Sequence, residues 1–180
     1  MTVFIALLRA VNVGGSAPLR MSALSEFLID LGYSEVRTVL QSGNAVFRSP
    51  SGTPATVERR LEAELLNRLG LATQVFVRTA SEWQSVIGQN PFPEAAMSDP
   101  SHLLLVALKS GPTLSEWTAV RAGIAGPEQV GGTGREAYVV YPNGIGHSPV
   151  TMAWIERKLG TPGTGRNWNT VRKLAQLAGA

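Results

Sequence analysis

Three short stretches of this chain hold the side chains best suited to binding or transforming a small molecule. They are Arg9, Asn12, Gly14 and Gly15 in "RAVNVGG", Gln41, Ser42 and Asn44 in "QSGN", and Arg166, Asn167, Trp168 and Asn169 in "RNWN". Arginine presents a rigid fork of N–H donors that matches a carboxylate or phosphate. Asparagine and glutamine can orient what the fork holds. A glycine pair between a strand and a helix lets backbone N–H groups approach an anion. Ser42 has no histidine or lysine near it in sequence to act as base, so the turn reading wins for that residue. Paired carboxylates for acid–base work are missing, since Glu58 and Glu62 read as one helix face with its arginines. The chemistry these residues share is anion binding.

Each stretch also has a plainer reading. "NVGG" lacks both G-x-G-x-x-G and the Lys-Ser/Thr of a nucleotide loop, so it serves equally as a tight turn. In "QSGN", Gly43 and Asn44 tolerate the positive φ of a hairpin. One asparagine of "RNWN" can cap the last helix, and Trp168 continues that helix's apolar stripe. Arg166 is harder to absorb. Beside a helix N-terminus its charge opposes the dipole, and a bound anion or a carboxylate would resolve the conflict.

Composition narrows the alternatives. With no cysteine, disulfides, thiol catalysis and Cys-based metal centres are excluded. The two histidines, His102 and His147, have no partner at metal-ligand spacing, so no metal and no cofactor are expected. Hydrophobic residues make 44% and charged residues 16% of the chain, the balance of an ordered globular protein. No apolar run nears the roughly 20 residues of a membrane span, and the N-terminus lacks a basic n-region and a cleavage site. A cytoplasmic location without membrane contact is the expectation. Net charge is only +3, but no acid follows Arg157 and none precedes Glu26. That asymmetry favours an anionic small molecule or nucleic acid as partner. A metal-independent enzyme is the alternative, with Arg9 or Arg166 clamping a phosphorylated or carboxylated substrate. Asn12, Gln41, Asn44 or Asn169 would then orient it. In a third reading the motifs only determine the fold.

The elements that must position these residues follow from periodicity. A strand-like run over 2–12 precedes Leu24, Phe27, Leu28 and Leu31, a helical stripe stopped by Gly32. "EVRTVLQ" and "NAVFRS" form a hairpin about "SGN". Thr53-Pro54 opens a helix carrying Val57, Leu61, Leu65 and Leu69, Gly70 ends it, and "ATQVFVRT" is a further strand. The order βαββαβ is the ferredoxin-like plait, expected over residues 1–79. Residues 80–180 repeat it more loosely. Thr79/Glu82 and Thr113/Glu116 are capping boxes, "HLLLVALK" a strand, "QVGGTGREAYVVY" a hairpin, and Ser148-Pro149 the start of a helix that Gly160 ends. A Pro-rich loop and a final helix complete that half. The expected class is α+β: two plait-like halves packed together, plus a C-terminal helix.

A plait orders its strands 4-1-3-2. The end of the first strand should therefore meet the hairpin turn, gathering Arg9, Asn12, Gln41, Ser42 and Asn44 at one sheet edge. Alternation puts Phe4, Ala6, Leu8, Ala10, Leu40, Ala45, Phe47, Val75 and Val77 on the face toward the helices. Arg9, Arg37, Arg48 and Arg78 fall on the other face with Val39, Val46 and Phe76. RNA-recognition plaits stack bases on such a face, but the RNP1 pattern is absent and Phe76 is its lone aromatic.

The stretches "ALLRAVNVGG", "VRTVLQSGNAVF" and "GTGRNWNTVRKL", in this order and spacing, resemble the bacterial domain-of-unknown-function family 1697 along essentially the whole chain. The resemblance implies two plait-like α+β parts and carries no activity with it. Two departures stand out: Ala10-Val11 where the family has Gly-Ile, and Ser16 where a basic residue often follows the glycine pair.

Overall fold

In the computed structural model the described residues are 1–11 and 19–180. The sequence patterns become β1 (Thr2–Leu8), α1 (Met21–Asp30), β2 (Ser34–Val39), β3 (Asn44–Ser49), α2 (Pro54–Leu69) and β4 (Val75–Thr79). The connecting helices α3 (Ala80–Gly88) and α4 (Pro93–Ser98) lead to β5 (Leu103–Leu108), α5 (Leu114–Ala122), β6 (Gln129–Thr133) and β7 (Glu136–Val140). After α6 (Met152–Leu159) come β8 (Gly163–Asn167) and α7 (Trp168–Ala178). Both sheets are antiparallel plaits, ordered β2-β3-β1-β4 and β6-β7-β5-β8. Two compact units result, one of Met1–Ser85 with Lys173–Ala180 and one of Val86–Arg172.

Local chemistry sets the helix ends. Thr53 accepts from the Thr56 N–H while the Thr56 hydroxyl accepts from the Thr53 N–H, and Gly70 takes the left-handed conformation that ends α2. Thr79 with Glu82 and Thr113 with Glu116 close the reciprocal capping boxes expected from the sequence. Helix α6 starts later than Ser148-Pro149 suggested, because Thr151 supplies the cap to the Trp154 N–H.

The first core lies between the sheet and α1 and α2, with Phe4, Ala6, Leu8, Ala45, Phe47, Val75 and Val77 meeting Leu24, Leu28, Leu61 and Leu65. Two residues expected on that face leave it. Ala10 and Leu40 adopt left-handed backbone, with φ of 49° and 58°, and both are exposed. Each sits just past a strand end, where the chain turns and strand alternation stops applying. The second core joins Val106, Leu108, Val139 and Tyr141 to Trp117, Val120, Ile155 and Leu159.

The largest departure is β8, which the sequence suggested as a loop leading into a helix. Glycine weakens a strand signal, and Gly163 and Gly165 bracket the segment. Both are needed. A Cβ at Gly163 would stand 2.8 Å from Val106 Cγ1, and one at Gly165 2.8 Å from Leu104 Cδ2. In the Pro-rich loop, α4 was likewise unanticipated.

Helix carboxylates cover one outer edge of each sheet. Glu62 and Glu58 of α2 accept from the Val75 and Val77 N–H groups of β4, each at 2.8 Å. Glu156 of α6 accepts from the Gly163 N–H of β8 at the same distance. An unpaired strand edge invites association, and here it is covered from within.

Two buried phenols give the second unit a pH dependence. Tyr138 donates to Val86 O at 2.6 Å and Tyr141 to Val150 O at 2.8 Å. Burial, then the charges of Glu136 and Glu128 respectively, push both pKa values above the ordinary 10.0. A raised folded pKa gives stability that is complete below the unfolded value and lost as pH climbs past it. Urea midpoints should therefore fall from about pH 9 to about pH 11, and fall less steeply in Tyr138→Phe. Equal slopes in the two proteins would show that this phenol titrates alike folded and unfolded.

Candidate functional site

At the end of β8, Arg166 is 6% exposed and its Nη1 donates to Thr164 Oγ1 at 2.9 Å and Gly165 O at 2.8 Å. Burial pulls its pKa down from 12.5 to about 10. Asn167 is the cap of α7, its Oδ1 accepting from the N–H and the hydroxyl of Thr170 at 3.0 Å each. Trp168 is buried with its ring centroid 6.3 Å from that of Tyr138, and its backbone N–H donates to Pro100 O at 3.0 Å. Asn169 alone of the four is exposed.

The same arrangement occurs once before in the chain. Arg78 stands opposite Ile5 of β1 in the first sheet, as Arg166 stands opposite Leu105 of β5 in the second. Arg78 Nη1 also donates to the carbonyl of the preceding residue, Val77, at 2.9 Å. Thr79 then caps α3 as Asn167 caps α7. Leu8 N–H donates to Gly43 O and Arg9 N–H to Gln74 O, while Leu108 N–H donates to Arg135 O and Lys109 N–H to Pro162 O. The two plaits share one construction, and the arginine that ends the fourth strand belongs to it.

In the turn between β2 and β3, Asn44 is fully buried and its Nδ2 donates to Val39 O at 2.8 Å and Ser42 Oγ at 2.9 Å. Gln41 and Ser42 are exposed. The Leu8–Gly43 bond, 2.8 Å long, brings this turn to the end of β1, as the plait requires. Arg9 has a partner on the other side of β1. Its Nη1 donates to Gln74 Oε1 at 2.8 Å, on the β4 side of the strand. Asn12, Gly14 and Gly15 lie outside the described residues.

Arg9 lines a cleft of about 710 Å³ between the end of β1, α2 and the approach to β4. Arg59 and Glu62 of α2, with Thr73 and Gln74, provide its other polar groups; Ala10, Ala63, Leu66 and Ala72 provide its apolar wall. Arg59, Ala63, Leu66 and Gln74 did not stand out in the sequence as site residues. Their signal was the spacing Arg59, Glu62, Ala63, Leu66, which is one helical face beside the buried stripe. Glu62 gives its Oε1 to the Val75 N–H, so the single carboxylate of the lining has a structural task. The cleft can hold an anion, and it lacks the base–orienter pair that acid–base chemistry needs.

The basic sheet face gives a different result. Phe76 is 0% and Arg78 2% exposed, Val46 is buried, and Arg48 pairs with Glu35 at 3.0 Å. Residues Gln176–Gly179 flank Val46 and Arg37 on that face within the first unit. Its aromatic ring is not available to stack a base. Among the described residues no three His, Asp or Glu side chains gather to hold a metal, and no helix is long and apolar enough to cross a membrane.

Comparison with known proteins agrees with this architecture. Among solved structures, the conserved bacterial protein SP0830 from Streptococcus pneumoniae is similar, with a TM-score of 0.72 over 98% of both chains at 18% identity. At that identity the likeness is one of fold. No curated protein matches the chain. The family described as protein of unknown function (DUF1697) matches residues 1–138, and the chain belongs to that family.

Proposed function

We propose that this protein is a cytoplasmic binding protein for a small anionic ligand, held in the Arg9–Arg59 cleft. One observation carries the reading: two arginines, Arg9 and Arg59, line the same cleft. The second plait repeats the backbone frame with Lys109 in place of Arg9, but Pro162 stands where Gln74 would be. Features common to both plaits serve folding, and features special to one are candidates for function. By that criterion Arg166 and Asn167 are fold determinants, Trp168 serves the core by its burial, and Arg9, Arg59 and Gln74 are the binding residues. The buried Phe76 argues for a small ligand over nucleic acid, and the engaged Glu62 argues for binding over catalysis.

Melting curves in acetate, octanoate, citrate and inorganic phosphate test the reading, because a ligand of the folded state raises the melting temperature by mass action. We expect at least one anion to raise it and Arg59→Ala, at an exposed position, to remove the rise without shifting the ligand-free curve. A single-stranded RNA oligonucleotide at low salt should remain unbound. If no anion shifts melting, or if Arg59→Ala shifts like wild type, the cleft is not the site.

A further inference from the structure

The lining of the cleft discriminates among anions. Arg9 and Arg59 stand against the single carboxylate of Glu62, which leaves one net positive charge. That balance suits a ligand with one negative charge, and Glu62 would repel the second charge of a phosphate monoester. A carboxylate can accept two parallel N–H bonds from one guanidinium. Gln74 accepts from Arg9 Nη1 through its Oε1, which fixes the guanidinium at the cleft.

The remaining wall is hydrocarbon. Ala10, Ala63, Leu66 and Ala72 line it, and Leu66 is 52% exposed although it sits beside a concave surface. Covering such a side chain removes apolar area from water, which favours binding in proportion to the area covered. On α2 the cation and the largest apolar side chain of the wall are also separated. Arg59 and Leu66 are seven residues apart on one face, about 10 Å along the axis. A ligand that satisfies both ends has an acid group at one end and an apolar body of that length.

We propose that the cleft takes an organic monocarboxylate with an apolar body, a medium-chain acyl or arylalkyl acid. This rests on the anion-binding reading above and narrows it. Three alanines, rather than larger side chains, leave room for that body along α2.

Isothermal titration of the full chain with octanoate, acetate, inorganic phosphate and octanol tests the inference. Octanoate should bind with acetate and phosphate at least about tenfold weaker, and octanol should not bind. Ala63→Trp, which fills the cleft from an exposed position, should lose octanoate. Leu66→Glu, also exposed, puts a like charge on the apolar wall and should lose it too, which keeps the test sound if either variant folds poorly. Equal affinity for acetate and octanoate, or unchanged octanoate binding in Leu66→Glu, overturns the apolar component and leaves the anion-binding reading standing. Tighter binding of phosphate than octanoate overturns the monocarboxylate preference alone. Octanol binding as well as octanoate, or no binding by any anion, overturns both.

Discussion

Alanine at Arg166 should lower stability by about 2–4 kcal/mol, and alanine at Arg78 by about 3–5 kcal/mol, while octanoate binding survives in both below their melting temperatures. The two sites are equivalent in strand position but differ in what they leave behind. Removing Arg166 takes the described donor from Thr164 Oγ1 and Gly165 O and opens a void the size of a long side chain. Removing Arg78 does the same to Val77 O and also takes a cation from beside Glu58, whose Oε1 is 3.8 Å from Arg78 Nη1 and keeps the Val77 N–H. The two side chains are 2% and 8% exposed, so water compensates little of the lost charge pairing. Methionine separates the two effects, since it fills volume without supplying donors. Arg166→Met should recover part of the loss, whereas Arg78→Met should recover little until Glu58→Gln is added. Urea unfolding followed by circular dichroism measures each. A loss below about 0.5 kcal/mol at Arg166 would sink the claim that it is a fold determinant.

Alkaline titration gives the same residue a second readout. The folded pKa of Arg166 is lowered to about 10 from 12.5, so its charge is a cost to the folded state whenever both states carry it. Between those values the folded chain releases the proton first and the unfolded chain binds more protons. Stability from this group then rises with pH, opposite in sign to the tyrosines. Tyr138 and Tyr141 are present in wild type and in Arg166→Met alike, so their losses cancel in the comparison. Wild type should gain on Arg166→Met above about pH 10. A constant difference would mean that the guanidinium is better solvated than its 6% exposure implies.

What could be read from the sequence depended on whether a residue's task was local. Gly70 ending α2, Thr53 and Thr113 capping their helices, and the turn at Gly43 are decided by neighbours within four residues, and each was legible. The strand β8 was not, because Gly163 and Gly165 are there to admit Val106 and Leu104, which lie some sixty residues away. The second half was legible only as a looser repeat for the same reason. "VFVRT" and "GTGRN" share only an arginine, because what the plait conserves is a hydrogen-bond frame that many side chains can occupy. Arg166 looked unexplained beside a helix terminus because Thr164 and Gly165, which accept from it, belong to the strand that was not legible. Arg59 and Gln74 went unnoticed because an exposed arginine on a helix face and a glutamine before a strand are ordinary features. Only the fold sets them around one cleft with Arg9.

Gly43→Ala should be the most damaging single methyl group in the first unit, at about 2–4 kcal/mol, read as a fall in the thermal midpoint. Two independent costs add. Gly43 has φ of 76°, a conformation that disfavours a Cβ by about 1–2 kcal/mol. The added atom would also fall against Val11 Cγ2 and lie 2.9 Å from Leu8 Cβ, and the latter cannot move without its backbone. Gly32→Ala separates the terms, since Gly32 has φ of 86° and no atom within 4 Å of the added methyl. It should therefore suffer the torsional cost alone. The difference between the two variants measures how tightly the turn is seated on the end of β1. That seating matters for binding, because Leu8 and Val11 flank Arg9 and Ala10 at the cleft. Leu8 N–H is tied to Gly43 O, so a displaced turn shifts the backbone that carries Arg9. Gly43→Ala should therefore weaken octanoate binding even at temperatures where it is folded, and Gly32→Ala should not. Equal midpoints for the two variants would mean that the turn can move away from β1 at no cost, and that the "QSGN" segment does not set the position of Arg9.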